Sequence, residues 1–272
     1  MTLRENMGGP PLSAAALTAA LVRPGGLWRR IEVVAQTGST NADLLALAAA
    51  GGAAGTVLAA EAQHAGKGRL GRTWTTPPGA GLTFSVLLRP AGVPAAGLGW
   101  LPLLAGVAAA AAVREVTGVP ARLKWPNDLL AGERKLAGIL AESRGQAVVV
   151  GVGLNVSQRA GDLPVPTATS LLLEQAALPA GRAREAILTA ILTGLERWYT
   201  AWTAAAGDAD GCGLRAEYLR QCATVGREVR VLLPGDRALT GRAADVDALG
   251  RLVVRTPAGL TAVSAGDVVH VR

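Results

Sequence analysis

Apolar positions along this chain follow two different patterns, which divide the sequence into a long first part and a short last part. The first part places short apolar runs between longer segments rich in alanine and leucine, and this arrangement predicts strands and helices in succession. Residues 1–10 show neither pattern and are expected to be disordered. Predicted strands cover residues 31–34, 56–60, 82–88, 134–142 and 147–156, and predicted helices cover residues 12–22, 42–50, 103–116, 182–205 and 213–222.

The last part of the chain, from residue 223 onward, contains only short apolar runs. Turn sequences of the type Pro-Gly-Asp, Asp-Ala-Leu-Gly and Pro-Ala-Gly separate these runs, and this pattern is typical of a small β-barrel. The runs lie at residues 229–233, 239–246, 252–254 and 268–271. We therefore expect an N-terminal segment with a short helix (1–30), a larger domain of helices and strands (31–222) and a β-rich domain (223–272).

A glycine-rich basic loop joins two of the predicted strands. Lys67, Arg69 and Arg72 alternate with glycines at positions 66, 68 and 71, and Trp74 follows two residues after Arg72. Glycine lets backbone N–H groups converge on an anion, while lysine and arginine supply charge to the same place. A solvated surface loop has similar letters, but this one connects apolar runs at 56–60 and 82–88. The sequence therefore predicts a site for phosphate or carboxylate groups.

The same loop matches the sequence motif G-x-G-x-x-G, which also occurs in dinucleotide-binding folds. That fingerprint requires a helix directly after the loop, with its N-terminus beneath the pyrophosphate. Here Pro77 and Pro78 follow, with Gly79 and Gly81, and then a strand, so a helix is excluded. The kinase motifs H-R-D and D-F-G are absent, and so is G-x-x-x-x-G-K-[ST]. A nucleotide site in this chain lies outside these common families.

Composition limits the possible environment and partners. The formal net charge of +7 favours acidic partners such as nucleotides, an acidic protein or nucleic acid. Cys212 and Cys222 lack the spacing of a metal cage or redox pair, which favours reduced thiols in a cytoplasmic protein. Residues 90–113 carry no charge, but prolines and glycines interrupt them, so we expect a buried core helix, a soluble protein and no membrane partner.

Three further stretches place polar side chains beside apolar runs. Ser39, Thr40 and Asn41 stand between a strand and a helix, where they either cap the helix or face a ligand. Lys135 enters an apolar strand, where an unpaired ammonium is costly, although a hairpin lysine facing solvent is the alternative. The segment 124–128 combines a lysine, an indole, an amide and a carboxylate around a turn, and the strand 147–156 carries Asn155 at its end.

Together these motifs resemble biotin protein ligases in content and order. The resemblance covers about residues 30–272 and rests on 38–41, 63–74, 124–128, 134–140 and 151–155. It implies an α/β (α+β) fold with a mixed central sheet flanked by helices, followed by a small SH3-like β-barrel domain. It also implies a two-step reaction, in which biotin and ATP, with Mg²⁺, give biotinyl-5′-AMP. The biotin then passes to a lysine of the biotin carboxyl carrier domain of an acyl-CoA carboxylase.

The resemblance also implies roles for individual residues, while metal ligands and oligomeric state stay unassigned. Lys135 and Arg69 are the expected catalytic residues. The expected biotin-binding residues are Ser39, Thr40, Asn41, Gln63, Lys67, Arg69, Lys135 and Gly138. The expected ATP-binding residues are Arg69, Arg72, Trp74, Lys124, Asn127, Asp128 and Asn155.

Two departures from the family pattern and two alternatives remain. The family loop usually reads G-R-G-R-x-G-R, whereas Lys67 here keeps the charge but loses the planar geometry of arginine. The residues before 31 are too few for the winged helix-turn-helix of many relatives, so we expect no binding to a DNA operator. A lipoate or octanoate ligase of the same fold is the nearest alternative. A nucleic-acid-binding module is disfavoured, because one Phe and two Tyr offer little base stacking.

Overall fold

The computed structural model describes residues 9–179, 181–233, 235 and 237–271. The expected disorder at residues 1–10 falls mostly outside these ranges. The helices are α1 (Ala14–Leu21), α2 (Thr40–Ala49), α3 (Trp100–Thr117), α4 (Ala183–Ala204) and α5 (Leu214–Gln221). The strands are β1 (Arg30–Val34), β2 (Thr56–Ala60), β3 (Gly81–Leu88), β4 (Ala121–Lys124), β5 (Asp128–Ala131), β6 (Arg134–Arg144), β7 (Ala147–Asn155), β8 (Glu228–Leu233), β9 (Arg237–Val246), β10 (Leu252–Thr256), β11 (Gly259–Val263) and β12 (Asp267–His270).

Three of these strands were not predicted from the sequence. β4 and β5 form a hairpin around residues 125–127, where the polar letters indicated only a turn. β11 is exposed along most of its length, and Gly259 and Thr261 interrupt its apolar residues, so no continuous apolar run reveals it. In each case pairing with a neighbouring strand supplies the order that local hydrophobicity does not.

Seven strands form a mixed central sheet in the order β1-β2-β3-β7-β6-β5-β4. β1 and β2 are parallel, and the remaining neighbours are antiparallel. β3 and β7 lie at the centre and are buried throughout, which explains their continuous apolar sequences. The expected mixed sheet is thus confirmed.

Helices cover the two faces of the central sheet unequally. One face packs against α3 and α4, and the small residues of these helices let them approach closely: a Cβ on Gly194 would lie 3.4 Å from the Cβ of Ala108. The other face packs against α2 through a small cluster that includes Leu44, Leu58 and Leu87. Because α2 is short, none of the described helices lies above part of this second face.

The apolar segment Ala95–Thr117, which contains α3, is long and apolar enough by composition to cross a membrane. Within the protein, however, 72% of its most apolar window is buried. A helix that is apolar on all sides and surrounded by protein is a core helix. The sequence-based expectation of a buried core helix therefore agrees with its position.

The last five strands form an antiparallel sheet in the order β11-β10-β9-β8-β12. Two buried indoles attach this sheet to the rest of the protein: Trp100 donates from Nε1 to the carbonyl of Ala248 (2.7 Å), and Trp125 donates to that of Gly250 (3.0 Å). Buried N–H donors that find such acceptors fix the relative position of two elements. As a result β12, an edge strand, lies beside the uncovered part of the central sheet.

Candidate active site

The uncovered part of the second sheet face forms a cavity of about 610 Å³. The N-terminus of α2, the glycine-rich loop, the β4–β5 hairpin and β12 surround it. A cavity of this size suits a small molecule of cofactor dimensions. Every predicted site residue lines it: Ser39, Thr40, Asn41, Gln63, Lys67, Arg69, Arg72, Trp74, Lys124, Asn127, Asp128, Lys135, Gly138 and Asn155.

Glycines on two central strands form the floor of the cavity. Gly138 on β6 lies opposite Gly153 on β7, and Gly151 lies two residues before Gly153 on the same face. A Cβ at Gly151 would lie 2.2 Å from Oδ1 of Asn41, and a Cβ at Gly153 would lie 2.3 Å from Cε2 of Trp74. Any larger residue at these positions would therefore displace a side chain that lines the cavity.

A buried hydrogen-bond network links the start of α2 to the sheet beneath it. Thr40 donates from its backbone N and from Oγ1 to Oε1 of Gln63, at 2.7 and 3.0 Å. Its hydroxyl also lies 2.7 Å from that of Ser85 on β3. Such a network holds polar groups at fixed positions inside a site of low dielectric constant.

Asn41 extends this network to β6. It accepts from the Ser85 hydroxyl at 2.6 Å and donates to a carboxylate oxygen of Glu142 at 2.8 Å. Ser39 caps α2, because its hydroxyl accepts from the Ala42 amide at 3.4 Å, and the same residue lines the cavity. Ser85 and Glu142 were not predicted, because each looks like an ordinary position within its strand.

The glycine-rich loop folds as a small hairpin above the cavity. Lys67 and Thr73 form an isolated antiparallel bridge, and the Gly68 amide donates to the Arg72 carbonyl at 2.7 Å. Leu70 adopts left-handed backbone angles (φ 54°, ψ 38°) at the tip, and 71% of its surface is exposed. The tip therefore carries an apolar side chain into solvent, while the flanking cations line the cavity.

Arg69 and Arg72 join this loop to the rest of the site. Arg69 donates to Oδ1 of Asn127 at 2.9 Å and to the Gly266 carbonyl at 3.3 Å. Arg72 donates to Asp267 at 2.5 Å. Burial lowers the pKa of Arg69 below its ordinary value and nearby Asp267 opposes this, but arginine stays charged in either case. Asp267 was missed in the sequence, where it is a single carboxylate after a turn.

Lys135 forms an ion pair inside the cavity instead of facing solvent. Its Nζ lies 2.6 Å from Oδ1 of Asp128, and both side chains are partly buried. Lys124 stands opposite Asp128 in the β4–β5 hairpin. Burial lowers the pKa of the Lys124 ammonium, Asp128 opposes this shift, and Lys135 adds to it. Two ammonium groups and one carboxylate leave this corner with a net positive charge, which suits an anionic ligand.

The remaining predicted residues differ in how free their polar atoms are. Trp74 lies over Gly138 and Gly153, and its buried Nε1 has no partner among the described residues, so it can donate to a ligand. Asn155 donates to the Thr169 carbonyl at 2.8 Å and accepts from Gln158 at 3.0 Å. Asn155 therefore holds the loop after β7 while it lines the cavity.

Metal ligands are sparse in the part of the chain that the structure describes. No group of three or more His, Cys, Asp or Glu side chains there is arranged to hold a metal ion. The carboxylates of the cavity wall are Asp128, Asp267 and Glu133, and all three already pair with cations. This arrangement provides cation donors for an anionic ligand but no preformed metal cage.

Comparisons with known proteins agree with this architecture. The profile of the Biotin/lipoate A/B protein ligase family matches residues 33–157, and that of the Biotin protein ligase C terminal domain matches residues 224–271. The biotin–[acetyl-CoA-carboxylase] ligase of Mycobacterium tuberculosis is 45% identical over the full length of both chains. The enzyme of the same name from Paracoccus denitrificans is 35% identical over 87% of this chain and 98% of its own.

Solved structures show the same similarity in three dimensions. Biotin protein ligase from Aquifex aeolicus, in complex with biotin and ATP, superposes with a TM-score of 0.75 at 27% identity. The match covers 90% of this chain and all of that one.

Proposed function

Because this chain belongs to the biotin protein ligase family, we propose that it couples biotin to a protein lysine in two ATP-dependent steps. The biotin carboxylate first displaces pyrophosphate from ATP and forms biotinyl-5′-AMP. A lysine amine of the acceptor then attacks the acyl carbon, AMP leaves, and an amide remains. The acceptor we propose is the biotin carboxyl carrier domain of an acyl-CoA carboxylase, in line with the names of the full-length relatives.

The observation that carries this proposal is that one cavity combines a rigid hydrogen-bonding part with a cationic part. Thr40, Gln63 and Ser85 form the hydrogen-bonding part near Gly151. Lys135 provides charge near Gly138, where a Cβ would lie 3.4 Å from its Nζ. The ureido head of biotin offers paired donors and acceptors to the first part, and its carboxylate matches the second.

The first chemical step brings two anions together, so much of its barrier is repulsion. Fixed cations lower this barrier by stabilising negative charge on the phosphate, and no nucleophile from the protein is needed. We assign Lys135 to this role because Asp128 holds its ammonium inside the cavity at 2.6 Å. Arg69, on the loop above, is proposed to hold the finished intermediate more than to promote this step.

The ATP side of the site is proposed to consist of Arg72, Trp74, Lys124, Asn127 and Asp128. The Nε1 of Trp74, which has no partner among the residues that the structure describes, supplies a donor, and its ring supplies a surface for stacking. We propose that Mg²⁺ enters with ATP, because this ion is commonly bound by substrate phosphates and one or two carboxylates. When bound, it screens the phosphate charge.

A cytoplasmic location belongs to the same proposal. Cys212 and Cys222 are both free thiols, which fits a reducing compartment. ATP and carboxylase acceptors are available there.

Lys67 is proposed to interact with the ligand through its charge and backbone, since lysine lacks the fork of donors that arginine offers.

Substrate choice provides the direct test of this function. We expect pyrophosphate release with biotin and ATP, and release at least about a hundredfold slower with lipoate or octanoate at equal concentration. The reason is that a site built for a polar head leaves its buried groups unpaired when an apolar head binds. Comparable release with lipoate would identify the alternative ligase activity instead.

Binding of the intermediate is expected to protect the glycine-rich loop from trypsin. Without ligand, exposed ion pairs such as Arg72–Asp267 contribute little to holding the loop in place. Trypsin should therefore readily cleave the peptide bonds after Lys67 and Arg72. Addition of biotin and ATP should slow cleavage after these residues, because an anion draws the loop cations together. Mass spectrometry of the early fragments measures the effect, and fragments from other exposed arginines serve as the internal reference. Equal loop cleavage in both states would contradict this expectation.

A further inference from the structure

Exposed apolar side chains concentrate at the mouth of the cavity. Val165, Leu232 and Val269 line it, yet 47%, 42% and 48% of their surfaces are exposed. Val165 belongs to the loop after β7, whereas Leu232 and Val269 belong to β8 and β12 of the C-terminal sheet. Exposed aliphatic residues that gather around one opening indicate an interaction surface.

The outer face of β8 and β12 gives this surface a regular pattern. Leu232 pairs with Asp267, and Val269 pairs with Arg230, so apolar and charged residues alternate across the two strands. Val229, Val231 and Val268 point the other way and are buried in the core of the sheet. The outer face therefore lies beside the cavity and is open to solvent.

The second reaction step requires the acceptor protein to approach the mouth of the cavity. An acceptor lysine has a four-carbon stem, so the backbone that carries it must come close to the opening to deliver its amine. Residues on the rim are then within reach of the acceptor. A small molecule inside the cavity, by contrast, does not have to contact the exposed side chains on the two sides of the cavity mouth.

We propose that Val165, Leu232, Val269 and Arg230 form the docking surface for the acceptor domain, so that the C-terminal sheet helps to select the protein that receives biotin. This inference rests on the proposed function. The occupant is a protein domain with an apolar contact beside its target lysine and acidic residues around it. The Arg230 side chain is exposed, and its guanidinium forms no ion pair with any described residue, so it can meet an acidic group of the partner. The cations of the loop add to the same positive field.

Matched variants of the C-terminal sheet test the apolar part of this surface. Leu260 on β11 is 61% exposed and, like Leu232, lies opposite a charged residue, but it does not line the cavity. We expect Leu232→Ser combined with Val269→Ser to lower kcat/KM for a recombinant carrier domain of an acetyl-CoA carboxylase by about tenfold. This loss should exceed any change in pyrophosphate release without acceptor. Leu260→Ser should transfer biotin like the wild type.

Arg230→Glu tests the charged part and has its own control. We expect kcat/KM for the carrier domain to fall on the order of tenfold at low salt and to depend less on salt than in the wild type. Pyrophosphate release should stay unchanged, since Arg230 does not line the cavity. Arg255→Glu makes the same change in charge on an exposed position of β10 and should have little effect.

The outcomes separate the two proposals. Wild-type protein that releases no pyrophosphate with biotin and ATP would contradict the proposed function. Wild-type protein that works normally, together with β8–β12 variants that transfer biotin as well as their controls, would overturn only the docking surface. Equal losses in both reaction steps would also overturn it, because docking concerns the second step alone.

Discussion

Replacement of Lys135 with alanine is expected to slow pyrophosphate release by about a hundred- to a thousandfold while the protein stays folded. Lys135 supplies a cation to the part of the cavity next to Gly138, and Asp128 holds its Nζ at 2.6 Å. Without it, the biotin carboxylate and the α-phosphate meet with less compensation of their charge. The variant also removes the cation that pairs with Asp128, so the negative charge of this carboxylate is no longer compensated by Lys135.

The matched control for this variant is Arg134→Ala, one residue earlier on β6. Arg134 is also a cation in an ion pair, with Glu174 at 2.7 Å, but it is exposed and does not line the cavity. Its loss should leave pyrophosphate release within about twofold, since exposed pairs contribute little. Thermal melting of both variants establishes that they fold. A Lys135→Ala protein that releases pyrophosphate within threefold of the wild-type rate would remove Lys135 from the mechanism.

Replacement of Arg69 with glycine is expected to release the intermediate more than to prevent its synthesis. Arg69 ties the loop to Asn127 and to the Gly266 carbonyl, so its loss frees the loop from the hairpin and leaves the exposed Arg72–Asp267 pair as its link to the C-terminal sheet. A closed loop keeps water and other nucleophiles from a reactive mixed anhydride. We therefore expect labelling of an unrelated lysine-rich protein to rise by about tenfold or more over wild type, with pyrophosphate release largely retained.

The assay for Arg69→Gly combines biotin, ATP and the unrelated protein, and streptavidin detects the label. The double variant Lys135→Ala, Arg69→Gly is the control, because it should make little adenylate and hence label little. Background labelling equal to wild type, with synthesis intact in both, would show that Arg69 does not retain the intermediate. Loss of synthesis in Arg69→Gly alone would place Arg69 in the first step instead.

Much of the fold follows from local sequence. Continuous apolar runs identified the central strands β3 and β7, because strands covered on both faces need apolar residues at every position. The alanine-rich stretch with interrupting prolines identified the core helix α3. The glycine-rich loop was recognisable because its three cations stand between glycines and next to apolar runs. Each of these features is formed by residues close together in the chain, so the order of residue types is enough to reveal it.

The sequence also determined which residues are candidates for the site, and the structure brings all of them to one cavity. Their individual roles stay predictions. The short strands β4 and β5 were not predicted, because each has only four residues and the turn-favouring residues 124–128 dominate the pattern there. Pairing with β6 decides their conformation, and it is this hairpin that carries Lys124, Asn127 and Asp128 to the cavity.

Only the tertiary structure decided which charged groups meet. Asp267 pairs with Arg72 across 195 positions of the chain, and Arg69 reaches the Gly266 carbonyl across 197. Lys135 faces a carboxylate, although its local sequence suits a solvent-facing hairpin lysine equally well. The sequence pattern indicates the spacing of apolar residues in each segment and whether that segment is buried. It does not give the distance between two segments in the folded protein. Electrostatic interactions depend on that distance and on the surrounding dielectric, and both are set by the pairing of strands and the packing of the two sheets.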